Sequence, residues 1–252
     1  MSYKMLSSPP DYAVIIPARY ESSRLPGKPL VSLFGVPMVV RTYRQCIRAC
    51  PPERVYVATD DQRIEAVCRE HGINVLMTSS DCLTGTDRVA ECAAQINAEV
   101  FINVQGDEPV FNPDDLRVFI EQLAVYPGEI LNGFCAIDCE AMYRSSSTPK
   151  VVMRPDGRLL YMSRSPIPGN KAHAFELAWR QVCVYAFPRR ALQDFSARAT
   201  KTPLEEMEDI EILRFIELGW EVRMVELSAQ SVAVDNPEDI ARAEKVIRER
   251  GL

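Results

Sequence analysis

Short runs of apolar, β-branched residues alternate with stretches of helical periodicity through the first half of the chain. The predicted strands cover residues 12–18, 54–60, 73–78 and 99–107, and the predicted helices cover residues 38–50, 61–72, 86–96 and 112–126. Strand and helix in repeated alternation indicate right-handed βαβ units and a largely parallel sheet. We therefore expect an α/β fold, with a mostly parallel sheet and helices on both faces. In such a fold, ligands bind beyond the carboxyl ends of the strands.

The second half of the chain is less regular. It predicts strands over 157–169 and 221–227, a strand leading into a helix over 179–192, and helices over 204–219 and 236–250. The sequence contains no linker, low-complexity tract or internal repeat. We therefore expect residues 1–252 to form one domain, with an inserted subregion at roughly 130–200.

Composition and charge exclude several classes of protein. The net charge of -6 over 252 residues gives no bulk attraction to nucleic acid or to an anionic membrane. No apolar run is long enough for a membrane span, and residues 1–12 read as a frayed terminus rather than a secretory signal. None of the eight cysteines forms a CxxC pair, so we expect reduced thiols in a cytoplasmic protein.

The segment IIPARYESSRLPGKPL, residues 15–30, places three cations directly after the first predicted strand. Arg19, Arg24 and Lys28 share this loop with free backbone N–H groups, a combination that suits a polyphosphate. The segment contains neither GxGxxG nor GxxxxGK[ST], so it is neither a dinucleotide fingerprint nor a P-loop. A solvated surface turn is the alternative interpretation.

Two aspartates follow apolar runs far apart in the chain. Asp107 lies in NVQGDEP and Asp235 in VAVDNPED. Mg²⁺ typically binds one or two protein carboxylates together with substrate phosphates, whereas a helix cap or a loop salt bridge is the simpler explanation of either residue. Two strand-end aspartates beside a basic loop favour metal-assisted nucleotidyl transfer. Thr86 and Arg88, in TGTDRVAE, could either cap a helix or contact a base or ribose.

Six segments together resemble the CMP-Kdo synthetases, also called 3-deoxy-manno-octulosonate (Kdo) cytidylyltransferases. They are VIIPARYESSRLPGKPL, YVATDDQRIEAV, TGTDRVAE, INVQGDEP, YMSRSPIP and VDNPEDI, and the resemblance covers about residues 12–245. It implies a nucleotide-diphospho-sugar transferase-like fold and a homodimer formed through the inserted subregion. It also implies Mg²⁺-dependent transfer of CMP from CTP to an acidic small-molecule acceptor, with release of pyrophosphate.

The resemblance assigns roles to particular residues. The implied nucleotide-binding residues are Pro17, Ala18, Arg19, Lys28, Thr86, Arg88 and Asp107. Of these, Arg19, Lys28 and Asp107 are the implied catalytic residues, and Asp107 and Asp235 are the implied Mg²⁺ ligands. The implied acceptor-binding residues are Arg24, Gln105, Gln181, Tyr185, Glu211 and Ile212.

The chain departs from the family pattern on the acceptor side. Gln181 stands where the family has His, Cys183 where it has Gly, and Ile212 where it has Gln. Loss of a hydrogen-bond partner at residue 212 would cost a hydroxylated sugar about 1–3 kcal/mol. The acceptor is therefore Kdo, another ulosonic acid, or a phosphonate such as phosphonoformate. A non-catalytic nucleotide-binding homologue would have lost an aspartate or a cation, and none is lost here.

Overall fold

The computed structural model describes residues 8–22 and 24–252, so most of the expected frayed terminus lies outside the described residues. The strands are β1 (Tyr12–Pro17), β2 (Ser32–Leu33), β3 (Val36–Pro37), β4 (Val55–Thr59), β5 (Asn74–Met77), β6 (Val100–Val104), β7 (Ile130–Ala136), β8 (Lys150–Met153), β9 (Leu159–Ser163), β10 (Trp179–Pro188) and β11 (Val222–Glu226).

The helices connect these strands. They are α1 (Met38–Cys46), α2 (Gln62–Glu70), α3 (Gly85–Gln95), α4 (Pro113–Val125), α5 (Glu140–Arg144), α6 (Arg189–Ser196), α7 (Pro203–Glu208), α8 (Ile212–Glu217) and α9 (Pro237–Arg250). Single 3₁₀ turns cover Lys28–Leu30 and Pro52–Arg54. No helix in the described part of the chain has both the length and the apolar character that crossing a membrane requires.

The main sheet, within the described residues, has the strand order β11-β7-β10-β6-β1-β4-β5, and β8 and β9 extend from β10. β1 pairs in parallel with β4 and β6, β4 with β5, and β11 with β7. β10 runs antiparallel to both β6 and β7. The sheet is thus mixed but mostly parallel in its first half, which confirms the expected fold class.

Helices cover both faces of this sheet. Along β1, Val14 and Ile16 belong to one apolar cluster, which also includes residues of α1, α2 and α4. Ala13 and Ile15 belong to a second cluster, which also includes residues of α3, α6 and α8. A strand buried on both faces reads as a continuous apolar run, which is why the sequence pattern identified β1. All eight cysteines are free, as expected.

One expectation for the second half requires correction. The predicted helix over 204–219 is two helices, α7 and α8, because Asp209 adopts a left-handed backbone with φ of 50°. Of the expected subregion at roughly 130–200, β7 and β10 lie inside the main sheet, and the β8–β9 hairpin extends that sheet from β10. The single domain with an inserted subregion stays a prediction. β7 itself was not predicted.

Candidate active site

A cavity of about 290 Å³ lies where β1 and β6 end. Its lining comes from the loops after these strands, from the entrance of α3 and from the segment around α7 and α8. The lining residues are Pro17, Ala18, Arg19, Ser22, Arg24, Lys28, Pro29, Met38, Cys82, Leu83, Thr84, Gly85, Arg88, Gln105, Gly106, Asp107, Lys201, Asp209 and Glu211. The site thus lies where ligands bind in parallel α/β sheets.

The basic loop and the two aspartates meet at the edge of this cavity, which Asp107 lines and Asp235 adjoins through Lys28. Lys28 Nζ lies 2.6 Å from Asp107 Oδ2 and 3.2 Å from Asp235 Oδ1. Arg24 Nη2 lies 2.9 Å from Asp235 Oδ1. Burial by itself lowers the pKa of Lys28, but the charges and hydrogen bonds of Asp107 and Asp235 outweigh it and raise that pKa. The two carboxylates therefore converge closely enough to share one cation.

Asp235 reaches this point from a loop, not from a strand end as expected. Residues 231–234 form no strand, and the Val234 N–H donates a 2.9 Å hydrogen bond to the Asp107 carbonyl. That bond holds the two aspartate segments side by side. Asn236 then caps α9 in a capping box with Asp239. A local reading of VAVD could not distinguish this extended loop from a strand.

A short approach between two backbones positions Asp107. A Cβ atom on Gly106 would lie 2.6 Å from the Pro17 carbonyl oxygen, so only glycine fits between the ends of β1 and β6. The absence of this side chain lets the loop after β6 close against the loop after β1.

We expect Gly106→Ala to lower the free energy of unfolding by about 1–3 kcal/mol, because the new methyl group must displace the β1 backbone. Urea unfolding measures the change. Gly169→Ala is the matched control, since a Cβ atom added there would meet nothing within 4 Å beyond its chain neighbours, and the variant should unfold like the wild type. An unchanged midpoint for Gly106→Ala would contradict this account of the β1–β6 approach.

The entrance of α3 forms a second wall of the cavity. Thr84 and Asp87 make a capping box that starts the helix. Glu211 accepts hydrogen bonds from the Thr86 N–H, at 2.9 Å, and from the Thr86 hydroxyl. Burial raises the pKa of Glu211, although these hydrogen bonds oppose the rise. The cap of α3 is therefore Thr84 rather than Thr86, and the Thr86 hydroxyl is engaged with Glu211, so a contact of Thr86 with a base or ribose stays a prediction.

The Arg88 side chain is buried, and it also lines the cavity. Its Nη2 lies 3.2 Å from Asp60 Oδ2, and its Nη1 donates to the Thr78 hydroxyl. These contacts fix the guanidinium group beside the residues that follow β4 and β5. By contrast, the Arg19 side chain is exposed and forms no ion pair with any described residue. Pro17 and Ala18 also line the cavity.

The expected acceptor residues divide into two groups. Arg24, Gln105 and Glu211 line the cavity, whereas Gln181, Tyr185 and Ile212 do not. The Gln181 amide donates to Asn132 Oδ1 at 2.9 Å and to the Tyr185 hydroxyl at 3.1 Å, so it is engaged inside the sheet.

Ile212 is fully buried in the apolar cluster that contains Phe215, rather than facing the cavity. An isoleucine has no polar group to keep at the cavity wall, and the core offers it an apolar environment.

A carboxyl group missed by sequence reasoning lies beside Asp107. Glu108 is buried, and its Oε2 has no hydrogen-bond partner among the described residues. Burial, with the neighbouring charge of Asp107, raises its pKa to about 8. Burial, with the nearby Glu108 carboxyl, also raises the pKa of Cys183 to about 12. The thiol is therefore protonated at neutral pH.

Lys201 and Asp209 were also missed. They line the cavity and are joined by a 2.8 Å contact from Lys201 Nζ to Asp209 Oδ1. Asp209 is the residue that separates α7 from α8. The one sequence signal was an aspartate in the middle of a predicted helix, a position that this residue disfavours.

A carboxylate next to Asp209 holds its surroundings in place. Glu208 accepts hydrogen bonds from the Ser163 hydroxyl at 2.6 Å and from the Arg164 N–H at 2.9 Å. Burial by itself raises the pKa of Glu208, but the hydrogen bonds from Ser163, Arg164 and Tyr161 lower it below its ordinary value of 4.5. Glu208 thus connects α7 to the end of β9.

A carboxyl whose pKa is depressed on folding stabilises the protein above its unfolded pKa, and this stabilisation is lost as the pH falls through its folded pKa. We expect Glu208→Gln to lower the free energy of unfolding by about 1–3 kcal/mol at pH 7. Below pH 4.5 the free energy of unfolding should fall less steeply in this variant than in the wild type, because the variant has no carboxylate to protonate at this position. Urea unfolding between pH 7 and pH 3 measures both effects. The exposed neighbour Glu206→Gln is the control. Equal pH profiles for wild type and Glu208→Gln would contradict the prediction.

A basic loop and two carboxylates that converge on one lysine lie at the carboxyl ends of strands in a largely parallel sheet. This arrangement defines a nucleotidyltransferase-type site. Comparison with known proteins agrees with this class. A model of the cytidylyltransferase family matches residues 13–226. A 3-deoxy-manno-octulosonate cytidylyltransferase of Trichlorobacter lovleyi is 39% identical over 247 residues, spanning 93% of this chain and 98% of the relative. One from Escherichia coli is 36% identical over 224 residues, spanning 89% and 91%.

A solved structure gives the same result. CMP:2-keto-3-deoxy-manno-octonic acid synthetase, complexed with CTP, superposes with a TM-score of 0.89 at 33% identity, covering 95% of this chain and 99% of that one. The chain belongs to the cytidylyltransferase family, and within it to the CMP-Kdo synthetases. This confirms the resemblance drawn from the six segments and the expectation of a CTP-dependent nucleotidyltransferase.

Proposed function

We propose that this chain transfers CMP from CTP to an acidic acceptor, and that the acceptor is Kdo. The convergence of Asp107 and Asp235 on Lys28, beside the cavity, is the observation that carries the proposal. It supplies a cation for phosphate oxygens and two carboxylates for Mg²⁺ at the end of a parallel sheet. The names of the relatives, which span nearly the whole chain, support the choice of CTP and Kdo.

The residues present fit Mg²⁺. Asp107 and Asp235 already approach a common cation, Lys28 Nζ, and two carboxylates plus phosphate oxygens are the ligands that Mg²⁺ commonly takes. When bound, the metal would neutralise phosphate charge and polarise a phosphoryl oxygen. Asp107 and Asp235 would hold it.

The proposed reaction is a single displacement. A hydroxyl oxygen of the acceptor attacks the α-phosphorus of CTP and loses its proton, while the bond from that phosphorus to the bridging oxygen breaks and pyrophosphate leaves. Arg19 and Lys28 bind phosphate oxygens and stabilise the charge that develops on the leaving group. Arg24 and Gln105 position the acceptor, and Thr86 and Arg88 shape the nucleoside side. The protein acts mainly by positioning and neutralising charge.

One observation favours a second acceptor. The Gln181 amide is engaged with Asn132 and Tyr185, and Ile212 is buried in the core, so neither is available to the hydroxyl groups of a sugar acid. A small acceptor such as phosphonoformate needs fewer such contacts. The same CMP transfer to a phosphonate is therefore the alternative.

Pyrophosphate release with CTP and Mg²⁺, in the presence of either Kdo or phosphonoformate, distinguishes these acceptors. Fast release with Kdo supports the proposal, and release with phosphonoformate alone supports the alternative. ATP, GTP and UTP replace CTP as nucleotide controls, and EDTA tests the need for the metal. No release with either acid, while CTP still binds, would contradict both acceptors.

The homodimer implied by family resemblance stays a prediction. Light scattering coupled to size-exclusion chromatography checks it. We expect a mass twice the 28.4 kDa of the chain, and a mass of one chain at micromolar concentration would contradict it.

A further inference from the structure

We propose that Lys201 is an acceptor-binding residue. In the free protein its ammonium group pairs with the Asp209 carboxylate, and the anionic group of the acceptor replaces that carboxylate on binding. This inference rests on the proposed function and deepens it. Neither residue belongs to the six segments that carry the family resemblance, yet both line the candidate active site.

The two members of the Lys201–Asp209 ion pair differ in exposure. The Lys201 side chain is 23% exposed, whereas the Asp209 side chain is 73% exposed. The lysine is therefore held in the cavity wall, and the carboxylate reaches into solvent. Ion pairs with this degree of exposure contribute little to stability, so an incoming anion can exchange with the Asp209 carboxylate at low cost.

The backbone at Asp209 is held by a hydrogen bond. The residue adopts φ of 50° and ψ of 51°, and its carbonyl accepts a 2.9 Å hydrogen bond from Arg164 Nη2. Arg164 also lies 3.7 Å from the Asp209 carboxylate. Because the main chain is held, the side chain can turn away from Lys201 without disturbing α7 or α8.

The Asp209 carboxylate lies in a positively charged environment. Lys201, Arg164 and Arg19 all lower the pKa of Asp209. A carboxylate with three cations around it occupies the kind of position that an anionic group of a substrate would take. Asp209 thus acts as an internal substitute for that anionic group.

Lys28 and Arg24 pair with the proposed Mg²⁺ ligands, whereas Lys201 does not. Among the cations of the basic loop, Lys28 faces Asp107 and Asp235, and Arg24 faces Asp235. Glu211, two residues after Asp209, has its carboxylate committed to the entrance of α3. Lys201 is therefore the cation that this wall offers to an acceptor's carboxylate or phosphonate.

The test is a steady-state comparison of Lys201→Met with the wild type, varying CTP and the acid separately in the pyrophosphate assay. We expect the KM for the active acid to rise about 10- to 100-fold, as for loss of one charged hydrogen bond, and the KM for CTP to stay within about twofold. Lys201→Arg should recover part of the loss. Lys245→Met, on the exposed face of α9, is the matched control and should leave both KM values unchanged.

Asp209→Asn tests the exchange itself. Asparagine adopts the left-handed backbone readily, so this variant removes the charge without straining the turn. We expect its KM for the acid to stay the same or to fall, because the competing carboxylate is gone. A rise in this KM would contradict the exchange.

The remaining outcomes separate the hypotheses. An unchanged KM for the acid in Lys201→Met, or a rise in the KM for CTP alone, would overturn the assignment, the second result placing Lys201 on the nucleotide phosphates. Equal losses and lowered melting temperatures in Lys201→Met and Lys201→Arg would show a structural role instead. A wild-type enzyme that is inactive with both acids contradicts the proposed function and this assignment with it, whereas an active wild type with an indifferent Lys201→Met contradicts this assignment alone.

Discussion

Asp107→Asn is expected to lower kcat for pyrophosphate release by about 10²- to 10³-fold, the loss typical of removing one electrostatic contact to the developing charge. Asparagine keeps the shape of the side chain and removes its charge. The variant therefore weakens the carboxylate pair that we propose for Mg²⁺. Because Lys28 Nζ retains Asp235 Oδ1 at 3.2 Å, the loop after β1 keeps one of its anchors and the protein should still fold.

The measurement is kcat and KM for CTP at several Mg²⁺ concentrations, with the melting temperature as a check on folding. The need for Mg²⁺ should shift to higher concentration in Asp107→Asn. Asp114→Asn, on the exposed first turn of α4, is the control and should behave as the wild type. If Asp107→Asn kept more than a tenth of the wild-type kcat, Asp107 would hold the loop but take no part in the chemistry.

Asp107 also shows how far sequence alone could reach into this site. Strand β6 is apolar except for the buried Asn103, and the rule that ligands bind after parallel strands pointed to the loop that follows it, which carries Asp107. The same rule located the loop after β1. The apolar pattern of each strand and this one topological rule were enough to locate both loops, because the contacts that matter lie at strand ends.

Contacts that depend on two distant segments could not be predicted in this way. Strand β7 was missed because Asn132 and Gly133 interrupt its apolar run. In the fold, Asn132 Nδ2 donates to the carbonyl groups of Val182 and Val184, at 3.2 and 2.9 Å, where β10 is irregular. A buried asparagine is acceptable only with such partners, and a single-strand pattern does not show them.

The acceptor side was the harder half for the same reason. Motif matching assigned Gln181, Tyr185 and Ile212 to the cavity, but the direction of a side chain from β10 or α8 depends on strand register and on where a helix starts. The break at Asp209 starts α8 at Ile212 and leaves its side chain in the core. Lys201 and Asp209 belong to none of the family motifs, yet they line the cavity, whereas Gln181, Tyr185 and Ile212 do not.

The largest stability effect is expected at Arg214, which is fully buried. Its Nε lies 2.5 Å from Glu205 Oε2, its Nη2 lies 2.6 Å from Glu205 Oε1, and its guanidinium group stacks on the Phe195 ring at 3.6 Å from the centroid. Its Nη1 also reaches Asp87 Oδ1, at 3.3 Å, on α3. One side chain therefore joins α8 to α7 and to the helix whose entrance forms a wall of the candidate active site.

We expect Arg214→Met to lower the free energy of unfolding by about 3–5 kcal/mol, because methionine fills much of the space but leaves the Glu205 carboxylate buried without its partner. That is a large part of the roughly 5–15 kcal/mol that typically stabilises a domain. Urea unfolding measures it. Arg117→Met is the control, since Arg117 makes an exposed pair with Asp114 that should contribute about 0–1 kcal/mol.

A double variant identifies the physical cause. Glu205→Gln removes the buried charge and keeps an oxygen that can still accept from the Thr202 N–H in the capping box of α7. If the unpaired carboxylate causes the loss, Arg214→Met/Glu205→Gln should be more stable than Arg214→Met, which is strong non-additivity. If instead the losses of unfolding free energy in the two single variants add, the stacking of Arg214 on Phe195 and the packing of its side chain account for the loss of stability. In either case Arg214→Met removes the contact that anchors α8 to α3. The hydrogen bond from the Thr86 N–H to Glu211 should then weaken. We therefore expect CTP to protect the variant against unfolding less than it protects the wild type.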